Sequence, residues 1–195
     1  MQTLSKNQDF DAEFYESLNP NKFNGFNDFK IGWNARSILT KKFGSWSYPT
    51  FAIAEELKAF IGNDKCLEIG AGAGILSMML QQCGIDIIAT DNAHEFKTTS
   101  PIFTDIIKMS ALDAVTHFVD ANVLVTSWAR GFLSDAVKNF KGNKIIFIGE
   151  EFCGCTGSIE DGECGFNKIT TIESYKSYPG ICDQIILYMK KNVEK

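Results

Sequence analysis

Lys65–Gly74 reads KCLEIGAGAG and passes directly into Ile75–Gly84, ILSMMLQQCG. The first half is a short apolar run ending in a turn with glycine at every second position, and the second is an apolar segment compatible with a helix. Strand, side-chain-poor turn and helix in that order let a ligand lie directly on backbone, while the helix behind offers unpaired N–H groups. The stretch predicts a binding site for a nucleoside-containing cofactor at the carboxyl end of a buried strand.

The segments that follow repeat the alternation. Strands are expected at CLEI (66–69), DIIAT running up to Asp91, DIIKM (105–109), ANVLVTSW (121–128) and KIIFIGE (144–150). Helices are expected at GILSMMLQQCG, ALDAVTHFV (111–119) and GFLSDAVKNF (131–140). Continuous apolar strands alternating with helices point to a parallel α/β sheet. The tail departs from this: FNKITTIESY (166–175) and DQIILYMKK (183–191) are joined by KSYPGIC alone, too short for a helical crossover, and are expected to pair antiparallel.

Ahead of the glycine turn lies a helical preface. QDFDAEFYESL (8–18) has Asp9 or Asp11 as N-cap, NPNKFNGFNDFKIGW (19–33) reads as irregular and anchored by aromatics, and a second helix is expected over Ala35–Lys42. FGSWSYPT (43–50) breaks it, and Thr50 caps a further helix ending near Ile61.

Composition narrows the function classes. The chain has 195 residues, 45% hydrophobic and 22% charged, enough for an ample core without disulfides. A net charge of -5 argues against a broad nucleic-acid surface. The N-terminus MQTLSKNQDFDAEF has no secretory leader, and no apolar run is long enough for a membrane span, so a cytoplasmic protein is expected. The six cysteines are expected as free thiols; CGCTGSIEDGEC (153–164) lacks a CxxC pair and a nearby histidine, and no metal site is assigned.

EIGAGAG after an apolar strand, Asp91 closing the next strand and the antiparallel ending resemble the class I S-adenosylmethionine-dependent methyltransferases. The dinucleotide pattern GxGxxG fits less well, since Ile75 stands where its last glycine belongs. The resemblance spans about Thr50 to Lys195. It implies a Rossmann-like three-layer sandwich whose seven-stranded, mostly parallel sheet closes with an antiparallel hairpin, residues 50–195 forming the cofactor-binding domain and 1–49 a helical extension over the site.

The resemblance also implies S-adenosylmethionine as cofactor, with Glu68, Gly70, Ala71, Gly72, Gly74, Asp91, Asn92, Ser110, Ala111 and Ser127 around it. Asp91 would hold the ribose diol and Glu68 would lie near the methionine ammonium; a strand-end role for Glu68 and a capping role for Asp91 stay open. Adenine would sit by Met109, Ser110 and Ala111, with Asp113 either a partner or a solvated helix residue.

After the fourth strand, TSWARGF lacks the Asn or Asp followed by Pro-Pro and an aromatic that base-methylating relatives carry, so a small-molecule or protein substrate is expected rather than nucleic acid. Ser127, Trp128 and Glu150 are the candidates for the catalytic pocket. Core packing for Trp128 stays open, as does a proton-accepting or cation-binding role for Glu150. Arg130 reads as an exposed helix-start residue, and Cys153 or Cys155 as nucleophile lacks a partner motif at His94 or His117. FGSWSYPT is similar to segments roofing the cofactor in short members of the superfamily, through Trp46, Tyr48, Pro49 and Thr50. The functions that stay open are methyl transfer, a catalytically silent S-adenosylmethionine binder acting through a partner, and an NAD-dependent oxidoreductase.

Overall fold

The computed structural model describes residues 1–23, 29–93, 100–129, 131–151, 155–157, 159 and 164–191. Its frame is one sheet. The strands are β1 (Gln2–Leu4), β2 (Cys66–Ile69), β3 (Ile87–Asp91), β4 (Ile106–Lys108), β5 (Val123–Ser127), β6 (Lys144–Gly149), β7 (Phe166–Thr171) and β8 (Gln184–Lys190). They lie in the order β1-β4-β3-β2-β5-β6-β8-β7. The five strands from β4 to β6 pair parallel. β8 inserts between β6 and β7 and pairs antiparallel with both, the connection from β7 running from Ile172 to Asp183.

The helices are α1 (Ala12–Ser17), α2 (Phe29–Phe43), α3 (Phe51–Ile61), α4 (Ile75–Gln82), α5 (Ala111–His117) and α6 (Leu133–Asn139). Alternation along the strands sorts them into layers. Cys66, Val123, Val125, Ile146 and Ile148 point into a core shared with α2, α3 and α4. Leu67, Leu124, Ile145 and Phe147 point into the opposite core with α5 and α6. Each large apolar side chain brought inside contributes about 1.5–3 kcal/mol, so this two-faced burial is what holds the sandwich.

Local chemistry sets the helix ends. Asp11 caps α1 by accepting the Phe14 N–H at 2.9 Å, and Thr50 caps α3 by accepting that of Ile53 at 3.1 Å. α3 stops at Gly62, whose φ of 68° lies in the region that favours glycine.

Two features differ from expectation. An eighth strand, β1, extends the sheet beyond β4, with Gln2 opposite Lys108. The second helix starts at Phe29, six residues before Ala35, and runs through Gly32. Gly32 does not break it, because the missing side chain is a packing requirement: a Cβ there would lie 2.3 Å from the Pro179 carbonyl oxygen. The Asn- and Gly-rich composition that reads as irregular is in part a close helix-to-loop contact.

The strand order reverses at β2. From it the chain steps outward through β3 and β4, then returns to the other side of β2 as β5 and β6. In such sheets the crevice at the carboxyl ends of the two strands flanking the reversal is where ligands bind. Here that places a site beyond Ile69 and Ser127.

Candidate functional site

The turn after β2 has Gly70, Gly72 and Gly74 at φ 66°, 57° and 79°, so all three use the left-handed region that side chains disfavour. Each also meets a close neighbour. A Cβ at Gly70 would touch the Phe132 ring at 2.9 Å, one at Gly72 the Gly44 carbonyl oxygen at 2.5 Å, and one at Gly74 the Thr104 methyl at 2.6 Å. The turn is clamped between neighbouring segments: the Ala73 N–H donates to the Gly44 oxygen at 3.3 Å, and the Ala73 oxygen accepts the Phe103 N–H at 2.9 Å.

Two carboxyls flank this turn. Asp91, at the end of β3, accepts the Gly72 N–H at 3.0 Å on one oxygen and the Ala93 N–H at 2.7 Å on the other. Glu68, 1% exposed on β2, accepts the Ser77 hydroxyl from α4. Burial pushes the Glu68 carboxyl up to about 7, the Ser77 hydrogen bond opposing this and the Asp91 charge adding to it.

The other wall of the crevice is the end of β5. The Ser127 and Ser47 hydroxyls are 2.9 Å apart, so the segment after α2 touches both sides: Gly44 the glycine turn and Ser47 the β5 terminus. Trp128 has a φ of 54°, rare for a bulky residue and worth about 1–3 kcal/mol of strain. Its N–H donates to the Ile148 oxygen at 2.8 Å, and its indole N–H donates to Asp183 at 3.0 Å.

Asp183, just before β8, also accepts the Tyr175 hydroxyl at 2.9 Å and that of Ser177. Burial first, then the Asp183 charge, raises the Tyr175 phenol well above its ordinary range, which keeps it protonated and donating. The Arg36 guanidinium carbon lies over the Trp128 ring, 3.4 Å from its centroid, and the Trp46 ring stacks beside Trp128 at 6.1 Å and 27°.

This architecture has counterparts among solved structures. The chain aligns over 91% of its length with all of the magnesium protoporphyrin IX methyltransferase of Synechocystis PCC 6803 bound to S-adenosylhomocysteine, at 12% identity and a TM-score of 0.52. It aligns over 97% of its length with 95% of the 1,6-didemethyltoxoflavin-N1-methyltransferase of Burkholderia thailandensis, at 10% identity and 0.53. A TehB-like S-adenosylmethionine-dependent methyltransferase of Corynebacterium glutamicum matches over 89% of this chain and all of its own, at 16% identity and 0.53. The fold is that of the class I methyltransferases. No protein-family model matches the chain, and no curated protein matches it in sequence.

Within the methyltransferase fold, Glu68, Gly70, Ala71, Gly72, Gly74 and Asp91 come together around the turn after β2, and Ser127 faces them from β5. Ser110 is the N-cap of α5, accepting the Asp113 N–H at 3.2 Å and donating to its carboxylate at 2.6 Å. Ala111 begins that helix, and the Met109 N–H donates to the Asp91 backbone carbonyl at 2.9 Å, so this segment adjoins the C-terminal end of β3. Asn92 follows Asp91 and is exposed.

Glu150 is buried at the end of β6 and accepts the Cys182 N–H at 3.0 Å, which ties it to the approach to β8. Of the expected roof, Tyr48 is buried and stacks on Tyr15 at 4.5 Å, and Thr50 caps α3; Trp46 alone borders the crevice with Ser47. His94, Arg130 and Cys153 lie outside the described residues. Cys155 is exposed, and His117 ends α5. Among the described residues no group of three or more His, Cys, Asp or Glu is placed to hold a metal, and no helix is long and apolar enough to cross a membrane.

Gly44, Ser47, Phe132, Arg36 and Asp183 were not marked as site residues by their sequence. Ser47 lies within the FGSWSYPT break, which does signal a departure from helix. Asp183 reads only as the polar start of a strand.

Proposed function

We propose that this chain binds S-adenosylmethionine across the turn after β2 and transfers its methyl group to a small molecule or an exposed protein group. The observation that carries the reading is Asp91 held at 3.0 Å from the Gly72 N–H, at the strand-order reversal of a class I methyltransferase fold. A carboxylate oxygen has two lone pairs, so the Asp91 carboxylate accepts ribose hydroxyls beyond the N–H groups of Gly72 and Ala93. That fits the vicinal diol of a ribose.

When bound, the sulfonium supplies an electrophilic methyl, taken by the acceptor's lone pair as the carbon–sulfur bond breaks and sulfur leaves with its electrons as a neutral thioether. Alignment and exclusion of water are therefore the chain's main tasks. Gly70, Ala71, Gly72 and Gly74 keep the turn open to close approach, and Glu68 orders α4 behind it through Ser77. Ser110, Ala111 and Asn92 border the adenosine side, while Ser127 closes the donor site beside Ser47. Trp128, held at its indole N–H by Asp183 and covered by Arg36, fixes the end of β5 beside that site. Glu150 supports the β8 approach through the Cys182 N–H.

Calorimetric titration with S-adenosylmethionine, S-adenosylhomocysteine and NAD tests the reading. The first two are expected to bind, and binding of NAD alone would overturn it. Asp91→Ala is expected to weaken S-adenosylmethionine by about 1.5–3 kcal/mol, the worth of charged hydrogen bonds to the ribose. Incubation with methyl-labelled donor and cell extract separates transfer from binding, label in any fraction being the expected result.

A further inference from the structure

Glu68 is a titratable side chain closed in beside the glycine turn. It stands at the third position of β2, two residues before Gly70, and is 1% exposed. Its carboxyl accepts the hydroxyl of Ser77, a neutral donor, and it forms no ion pair with a described residue.

The elements packed around it supply one charge, and that charge is of like sign. α4 (ILSMMLQQ) and β5 (VLVTS) contain no ionisable residue, and β3 (IIATD) contains Asp91 alone. α2 and α3, which cover the same face of the sheet, turn Leu39, Phe43, Ala54 and Leu57 into its core. Their charged side chains lie elsewhere, Arg36 over the Trp128 ring and Lys30, Lys41, Lys42, Glu55, Glu56 and Lys58 exposed. In the segment after α2 the Tyr48 hydroxyl donates to the Tyr15 oxygen at 3.1 Å, and burial pushes the Cys66 thiol of β2 up to about 12, which keeps it neutral. Burial and the Asp91 charge favour the protonated Glu68 carboxyl, and the Ser77 hydrogen bond favours the ionised one.

A cation brought to the turn tips this balance. S-adenosylmethionine carries a sulfonium and an ammonium against a single carboxylate and is positive, whereas S-adenosylhomocysteine has lost the sulfonium charge and is a neutral zwitterion. A buried carboxyl is little screened from such a charge, and an opposite charge favours its ionised form. The coupling is reciprocal: a ligand that weakens the hold of Glu68 on its proton binds more tightly once that proton has gone.

We propose that the proton on Glu68 and the cationic methyl donor compete, so that donor binding releases this proton to solvent and rising pH selects the donor over its neutral product. This regulation rests on the S-adenosylmethionine reading above. After transfer the sulfur is neutral, the Glu68 carboxylate takes a proton back from solvent, and the preference for donor over product is reset.

The test is calorimetry of the full chain at pH 6.5, in PIPES and in Bis-Tris, with S-adenosylmethionine and S-adenosylhomocysteine as ligands. The two buffers differ in ionisation enthalpy, so the difference in binding heat counts protons. About half a proton is expected to leave per S-adenosylmethionine bound, and less than half of that per S-adenosylhomocysteine. Between pH 5.5 and pH 7.5 the ratio of the two affinities is expected to shift at least threefold toward the donor. Glu68→Gln, nearly the same in shape, is expected to remove both effects. Ser77→Ala, which deletes a hydrogen bond to the ionised carboxyl, is expected to move the midpoint of the pH dependence upward. A circular dichroism spectrum matching the parent checks that the variants fold, and the parent's proton counts decide without them. No release with S-adenosylmethionine, equal release with both ligands, or release that persists in Glu68→Gln would overturn the proposal. Donor binding without release sinks the proton linkage alone, whereas failure of both ligands to bind sinks the S-adenosylmethionine reading and the linkage with it.

Discussion

The glycine turn and the end of β5 face one another across the carboxyl edge of the sheet, and they are built in opposite ways. The turn is made of backbone: left-handed glycines at Gly70, Gly72 and Gly74, with Asp91 and Glu68 supplied by the adjoining strands. The β5 terminus is made of side chains from distant parts of the chain. Ser47 reaches Ser127 across 80 positions, and Asp183 reaches Trp128 across 55. A surface that must admit a common cofactor can be specified locally by an absence of side chains. A surface that shapes the second half of a site needs side chains held by distant partners, and only the tertiary fold brings those together.

The comparison can be broken most directly at Asp183. Replacing it with Ala leaves Trp128 Nε1 and the Tyr175 hydroxyl without their acceptor in a buried setting, while the Ser177 hydroxyl keeps the Ile181 oxygen, and is expected to cost about 3–5 kcal/mol in urea unfolding. Asp183→Asn, which keeps one acceptor oxygen, should recover part of this; an unchanged midpoint for the Ala variant would show that the side-chain wall is not held as described. Next comes the turn itself. Gly72→Ala puts a Cβ 2.5 Å from a backbone oxygen at a φ of 57°, an expected loss of about 3 kcal/mol together with more than tenfold weaker S-adenosylmethionine binding by calorimetry. If Asp183→Ala instead weakened the donor as much as Gly72→Ala, the division between the two walls would fail.

Glu68 provides a pH test on the turn side. Its carboxyl is raised from 4.5 to about 7 in the folded chain, mainly by burial, so between these values the folded state binds more protons than the unfolded one. Stability from this group is fully present below pH 4.5, falls as pH rises toward 7 and levels off above it, a change on the order of 3 kcal/mol. Urea midpoints of Glu68→Gln should lose this slope between pH 5 and pH 8; a slope identical to the parent's would assign it to other groups. The smallest effect is expected at the contact between the walls, where Ser127→Ala removes one hydroxyl pair and costs about 0.5–1 kcal/mol by thermal denaturation.

The same division explains what could be read beforehand. The parallel strands, α4, α5, α6 and the antiparallel ending all follow from runs of apolar residues and the length of the loops between them, signals carried within ten residues. Asp91 and the glycines were legible because their spacing is itself the structure. Gly32 misled because a glycine that permits close packing against Pro179 and one that ends a helix look alike in sequence. β1 was hidden by its brevity, since three residues show no alternation. Arg36, Ser47 and Asp183 have meaning only through partners in Trp128 and Ser127, and nothing near them in the chain announces those partners. Glu150 is expected at the ligand edge from its sequence, whereas its contact with the Cys182 N–H depends on where the tail returns.

That return sets the order of events during synthesis. β8, the last of the described strands in chain order, takes an interior place between β6 and β7, with Ile185–Tyr188 buried. Until it emerges, the edge of β6 offers unpaired backbone groups beside the apolar Ile145–Ile148, and Trp128 lacks its carboxylate anchor. The β6 edge therefore stays unpaired from the completion of β6 at Gly149 until β8 begins at Gln184.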